Sequence, residues 1–232
     1  MVFDFCLGRG REGPEKFLGQ YAGILQCDGY AGYDKVGART MKRAGCLAHA
    51  RRRFWQAHQL ARQDGDLLAV LGTMGQLYAI EAQARQHQLE AGARLALRRE
   101  KSVALMDQLK SKIVEIRQQA LPRSTAGEAC NYALNQWSRL VLFLEDGQIE
   151  IDNNWCENGI RPVALGRKNW LHIGSEAAGP KVAAILSVVE TCRRLPIDLR
   201  SYLRDVLPKL PSWPIQRVAE LSPTRWLAAP AK

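Results

Sequence analysis

Apolar and polar positions along this chain follow two rhythms. In the first sixty residues, short apolar runs stop at glycine-rich turns. "VFDFC" (2–6) reads as a strand closed by "LGRGREGP", and "AGILQC" (22–27) as a strand closed by "DGYAGYD". Between them Pro14 opens a short helix, "PEKFLGQY", with proline near its first position. A further strand, "AGCLAHA" (44–50), leads into "RRRFWQAHQLARQ", which has helical spacing at Phe54, Ala57 and Ala61. Strands alternating with helices predict an α/β arrangement.

From about residue 66 to 145 the rhythm changes to that of long helices. "LLAVLGTMGQLYAIEAQARQ", "ARLALRREKSVALMDQLKSKIVEIRQQAL" and "AGEACNYALNQWSRLVLFLED" carry apolar residues at i, i+3 and i+4, and "LPRS" separates the last two. This stretch reads as an all-helical insertion. Beyond it come "GQIEIDNN", a helix from Asn154, a short strand or turn at "NWLHIG", and the amphipathic helix "AAGPKVAAILSVVETCRRL". "DLRSYLRDVLPKL" is a last helix with Asp198 as N-cap, and the tail "SPTRWLAAPAK" reads as loose.

Composition narrows the function classes. The chain has 232 residues, 47% of them hydrophobic, enough for a substantial core. No apolar run approaches the roughly 18 residues that span a bilayer. The first residues lack the basic and apolar regions of a signal peptide. The six cysteines stand singly, which suits reduced thiols in the cytoplasm. Lys and Arg number 33 against 23 Asp and Glu, a net charge of +10 that suits a polyanion, nucleic acid first. The charge is clustered: residues 35–63 hold eight cations and no acid, and residues 158–175 hold three more, again with no acid. Each cluster directly follows a carboxylate of interest, Asp28 or Glu157.

Each candidate residue carries two readings. Asp28 sits at an Asp-Gly turn, but a carboxylate beyond a strand's C-terminal end is also where α/β sheets place ligands. Glu157 completes the spacing of a capping box from Asn154, or serves as a hard oxygen ligand for Mg²⁺. At four-residue intervals Asn153, Glu157 and Arg161 would share one helix face. Cys46 and His49 have CxxH spacing, half of a zinc site with no matching second half. His49 beside Arg51, Arg52 and Arg53 fits phosphate contact or a solvated helix start. Phe54, Trp55 and Trp137 read as core aromatics, whereas Trp170, next to Arg167 and Lys168, suits a base or sugar contact.

With these residues laid out, the chain resembles the transposases of the insertion sequence 66 family of bacteria. The stretches that carry the resemblance are "GILQCDGYAGYDKV", "AGCLAHARRRF", "IDNNWCENGIRPVALGRKNW", "GSEAAGPKVAAILSVVETCRRL" and "DLRSYLRDVLPKL", in the family's order. The resemblance implies a DDE-type transposase: an α/β, ribonuclease-H-like core, incomplete here with its first strands missing. It divides the chain into a partial core (1–59), the helical insertion (60–148), a core continuation with the terminal Glu helix (149–184) and a small helical C-terminal element (185–232). Asp28 matches the second catalytic acid and Glu157 the last. Together they would hold two Mg²⁺ (or Mn²⁺) ions about 4 Å apart, for strand cleavage and strand transfer. His49, Arg51, Arg52, Arg53, Asn153, Arg161, Arg167 and Lys168 would contact DNA, both element ends and target. Self-association, accessory proteins of the same element and a cytoplasmic, nucleoid-associated location are further implications.

The family's first catalytic Asp lies upstream of the strand that "VFDF" resembles. A parallel crossover of strand 2–6, helix 14–21 and strand 22–27 would let Asp4 stand in for it. Without such a substitute, the 232 residues alone are expected to be inactive in cleavage and aggregation-prone at an exposed sheet edge. The rival reading is a non-catalytic DNA-binding or assembly remnant of a transposase. A helical RNA-binding protein would explain the charge but not the two acid-centred motifs.

Overall fold

A computed structural model describes residues 1–170 and 173–228, with the side chain of Trp170 outside that description. Its elements in chain order are α1 (Glu12–Leu18), β1 (Ile24–Gln26), β2 (Lys42–Ala44), α2 (Leu47–Leu60), α3 (Gly65–Gln86), α4 (Ala91–Gln119) and α5 (Thr125–Asn135). There follow α6 (Trp137–Leu140), α7 (Asn154–Trp170), α8 (Gly179–Arg194), α9 (Leu199–Val206) and α10 (Pro223–Ala228). Among the described residues, no helix is long and apolar enough to cross a membrane. The chain divides into two compact units, Leu18–Cys156 and Met1–Phe17 with Glu157–Lys232.

In the unit Leu18–Cys156, β1 and β2 pair in parallel, with Ile24 opposite Lys42 and Gln26 opposite Ala44. These are the only strands among the described residues. The fold is therefore mostly helical, and two strands do not by themselves make up a ribonuclease-H-like core. The Gln26 amide extends the pairing by side chain: its Nε2 donates to the Glu150 carbonyl, and Glu150 N donates back to Oε1 at 3.2 Å. The segment 149–153 is also stitched to the start of α2, because Leu47 N donates to the Ile151 carbonyl at 3.1 Å.

Helix α2 buries Leu47, Ala50, Phe54 and Ala57, one stripe at helical spacing, against Leu67, Val70, Met74 and Leu77 of α3 and apolar residues of α4 and α5. Asp64 caps α3 by accepting from Asp66 N and Leu67 N at 2.9 and 3.1 Å, and Ser124 caps α5. At the centre lies a buried ion network. Glu81 of α3 accepts from Arg98 Nε at 2.7 Å and Arg94 Nε at 2.9 Å, the two arginines standing one turn apart on α4. Arg98 also donates to the carbonyls of Phe143 and Asp146, and Arg94 to the Glu150 carboxylate. The network thus fixes the segment that leads into α7.

In the other unit, α8 is flanked by the N-terminal segment. Met1 donates to Thr191 Oγ1 at 3.0 Å and Phe3 N to Ser187 Oγ at 2.8 Å. Cys192, Ile197, Tyr202, Val206 and Leu221 form a small core around α9. Asp198 caps α9 as its sequence predicts, accepting from Ser201 N at 2.7 Å.

Four expectations change. Residues 2–6 form no strand: the backbone of Phe3 pairs with the Ser187 hydroxyl of α8 and not with a neighbouring strand. The Asp4-bearing crossover is therefore not built. The strand expected over 44–50 sits at Lys42–Ala44, and the apolar residues from Leu47 onward belong to a helix. That moves His49 from a strand end to the first turn of α2. Asn169 and Trp170 of "NWLHIG" finish α7, while positions 171 and 172 lie outside the described residues. The tail is ordered through Ala228: Trp226 packs edge-on against Tyr202 and donates to Asp205 at 2.9 Å.

Candidate functional site

Asp28 lies two residues beyond β1. Its Oδ1 accepts from Tyr30 N at 3.0 Å, a side-chain turn of the kind Asp-Gly sequences favour. The turn and ligand readings of Asp28 are compatible, since a carboxylate has further lone pairs. Gly29 is required by close approach: a Cβ there would come within 2.9 Å of the Tyr132 ring. Arg53 stacks on that same ring, its guanidinium 4.2 Å from the centroid, so Tyr132 links the Asp28 turn to the basic run of α2. Beneath the turn, Arg43 pairs with Asp34 and donates to the Asp28 carbonyl at 3.4 Å. The hydrogen bond from Arg43 holds the Asp34 carboxyl below the ordinary carboxylate range, and burial pushes the neighbouring Cys27 thiol up.

A second group surrounds the N-terminus of α2. Cys46 is buried, and its sulfur accepts from Asn153 N at 3.5 Å. Burial raises its thiol. Asp152 carries three hydrogen bonds: from Tyr78 OH at 2.8 Å, Asn154 N at 3.0 Å and Asn154 Nδ2 at 2.8 Å. Asn154 is the first helical residue, which puts Asn153 at the cap position, and Asp152 closes a side-chain turn just ahead of it. The helix therefore starts one residue ahead of where a cap at Asn154 would begin it. Asn153 precedes α7, off its expected helix face, with its Oδ1 buried and unpartnered among the described residues. Arg51 and Arg52 are exposed and face a cleft of about 590 Å³ shared with Trp55, Gly75, Tyr78 and Asn154.

In the other unit, Glu157 occupies the first turn of α7 and Arg161 stands one turn on. Arg167 and Lys168 are exposed in the last turn, where cations also complement the helix dipole. Asp28 and Glu157 therefore belong to different units. Within one unit Tyr132 lies against both Gly29 of the Asp28 turn and Arg53, and Asn153 meets Cys46 at the His49-bearing start of α2. Among the described residues, no group of three or more His, Cys, Asp or Glu stands ready to hold a metal. By donor chemistry, a carboxylate such as that of Asp28 or that of Glu157 is the kind of hard oxygen ligand that Mg²⁺ or Mn²⁺ takes.

The sequence pattern misses Trp55, Tyr78 and Asp152. Trp55 is placed among core aromatics, yet it is 48% exposed, while its neighbour Phe54 is fully buried. A signal was present: Ala48, Arg51, Arg52 and Trp55 form their own stripe at helical spacing beside the buried one.

The comparisons with known proteins bear on the whole chain. Residues 1–181 match the family model described as Transposase IS66 family, and residues 187–224 match the IS66 C-terminal element. Three uncharacterized proteins of Sinorhizobium fredii (strain NBRC 101917 / NGR234) are similar. Protein y4hP is 35% identical over 96% of this chain and 43% of its own length, and y4qI is 33% identical over 96% and 42%. Protein y4jD is 30% identical over 97% of this chain and 45% of its own. The chain thus spans less than half the length of these relatives. No solved structure matches it. Two family models in the family's own order, covering both acid-bearing motifs and the C-terminal helices, place the chain in the IS66 transposase family.

Proposed function

We propose that this chain forms part of the catalytic region of a DDE-type transposase, which cuts the DNA strand at an element's end and joins it to target DNA. The observation that carries the reading is the family match across both acid-bearing motifs, "CDGYAGYD" and "NNWCENGIRP". Asp28 and Glu157 are the carboxylates that would hold Mg²⁺ or Mn²⁺. Bound there, the metal would supply an activated water or 3′-hydroxyl and stabilise the leaving oxygen.

The chain's own residues do the rest. Arg51, Arg52 and Arg53 on α2, with Arg161, Arg167 and Lys168 on α7, neutralise backbone phosphates, giving sequence-independent and salt-sensitive affinity. Asn153 and His49 act as polar contacts to the same backbone. In this reading residues 1–59 and 149–184 contribute to a ribonuclease-H-like core. Residues 60–148 are the insertion, and residues 185–232 are the C-terminal element. The protein works on the nucleoid in the cytoplasm, self-associating and with accessory proteins of its element.

The test combines cleavage with binding. A polypeptide limited to these 232 residues, with two of the family's three acids, is expected to bind element-end DNA without nicking it. Supplying an upstream segment that carries a further Asp is expected to give Mg²⁺-dependent nicking. Asp28→Asn or Glu157→Gln should then abolish that nicking while leaving DNA affinity in place. Nicking that survives either substitution overturns the assignment, and an extended chain that binds but never cuts favours the non-catalytic remnant.

A further inference from the structure

The cleft between α2 and α3 shares Arg51 and Arg52 with the backbone contacts above, which leave its aromatic wall unused. One wall is the exposed stripe of α2, Ala48, Arg51, Arg52 and Trp55. The other is Gly75 and Tyr78 of α3, closed at one end by Asn154. Its volume of about 590 Å³ lies in the range of small-molecule sites and holds one nucleotide. Trp55 offers a large flat surface, 48% exposed. Among the described residues the ring beside it is that of His58, tilted by 49° at 6.2 Å and not stacked on it. Across the cleft Tyr78 is held in place through its hydroxyl, which donates to Asp152. Asp152 also binds the backbone and side chain of Asn154, so this acid is engaged by three donors.

Gly75 is the second, independent sign. It lies in the middle of a 22-residue helix, where glycine is the least favourable ordinary residue. Nothing lies within 4 Å of where its Cβ would be, so packing does not demand a glycine. Its missing side chain leaves open space on the α3 wall of the cleft.

We propose that this cleft binds an unpaired nucleotide of a DNA strand, the base stacked on Trp55 and its phosphates held by Arg51 and Arg52. In a duplex each base face is covered by its neighbours, so an indole can stack only on a base that has left the helix or was never paired. Two arginines beside that indole select a base that carries phosphate, and the open floor at Gly75 admits a planar ring. The proposal rests on the transposase reading for the identity of the polymer and gives it a further contact, to a single-stranded stretch at the element's end.

The test is binding without metal, so it is independent of cleavage. The 232-residue chain is titrated in EDTA against a labelled oligodeoxythymidine of about 12 nucleotides, within the usual site size for single strands. A duplex hairpin, the same-length RNA and free thymidine monophosphate are run beside it. Trp55→Ala is expected to weaken single-strand binding about tenfold, the loss of one stacked base, with duplex binding changed by less than about twofold. Trp55→Phe should recover most of the loss. Gly75→Leu should weaken single-strand binding similarly while its Tm stays level or rises, which a purely structural role for Gly75 does not allow. Unchanged single-strand affinity in both Trp55→Ala and Gly75→Leu overturns the proposal, as does wild-type protein that ignores the single strand. Tighter binding of RNA, or of the free mononucleotide, overturns the assignment to a DNA strand. In each of those cases the dependence of nicking on Asp28 and Glu157 stands or falls separately.

Discussion

The unit Leu18–Cys156 and the unit of residues 1–17 and 157 onward both close helical cores, but with different chemistry. The first buries formal charge: Glu81, Arg94 and Arg98 are all within 9% of full burial, surrounded by an extensive apolar cluster. The second keeps charge near water. Its buried Glu190 pairs with an Arg193 side chain that is 60% exposed, and its small core is held by hydrogen bonds from aromatic residues. Tyr202 OH donates to the Leu221 carbonyl at 2.7 Å, and Trp226 packs edge-on against the same ring. A large apolar shell tolerates a buried ion network only if each charge has partners, so that network specifies one arrangement of α3, α4 and the segment before α7. A small core offers no such shell, and isolated neutral hydrogen bonds suffice there.

The largest effect should come from breaking the network on one side. Glu81→Leu leaves Arg94 and Arg98 buried without their shared carboxylate, and is expected to cost about 3–5 kcal/mol in chemical denaturation. Replacing all three, as Glu81→Leu with Arg94→Met and Arg98→Met, should restore most or all of that stability. A single substitution that costs under about 1 kcal/mol would mean that the pairing is not what fixes the two helices.

This network also shows where the sequence stops being legible. The helices α3 and α4 follow from apolar spacing, and the cap at Asp198 from its position ahead of "LRSYLRDV". Arg94 and Arg98, by contrast, look like one more pair of solvated charges on an amphipathic helix. Only their meeting with Glu81, 13 and 17 residues away on another helix, reveals that they are interior. The run "VFDFC" has the alternation of a strand, yet Phe3 bonds through its backbone to the Ser187 hydroxyl, and no local pattern reports a partner 184 residues distant. At the candidate site the Asp28 turn is legible because it is made by adjacent residues. The start of α7 is less so, because Asn154, which the sequence offers as cap, is already helical, and the Asp152 turn ahead of it is held by Tyr78, 74 residues away. Trp55 is misread because the buried and exposed stripes of α2 are one residue out of step.

A smaller effect should separate the second unit's mode of closure. Tyr202→Phe removes the hydroxyl bonded to Leu221 but keeps the ring that packs on Trp226. The expected cost is about 1 kcal/mol, a single buried neutral hydrogen bond, read as a fall in Tm or in denaturation midpoint. A loss several times larger would show that this unit, like the other, depends on a cooperative polar centre.

The smallest effect is a matter of slope in acid. Hydrogen bonds from Arg94 hold the Glu150 carboxyl below the ordinary carboxylate range, against the upward push of partial burial. Burial pushes Glu81 up, but the hydrogen bonds from Arg98 and Arg94 outweigh it, so Glu81 also lies low. A carboxyl depressed in the folded state contributes stability that is fully present above its unfolded value, about 4.3 for Glu, and is lost as pH falls through the folded value. Tm should therefore vary little from these groups between about pH 8 and 5, and fall below about pH 4. Glu150 is 36% exposed on its side chain, so solvent screens its share and most of the acid loss belongs to Glu81. Glu150→Gln removes one titrating member: it should lower Tm slightly at neutral pH and make the acid decline shallower, so that the two curves converge at low pH. A gap that stays constant down to pH 3 would show that Glu150 acts by packing alone and that the charge of this network is carried by Glu81.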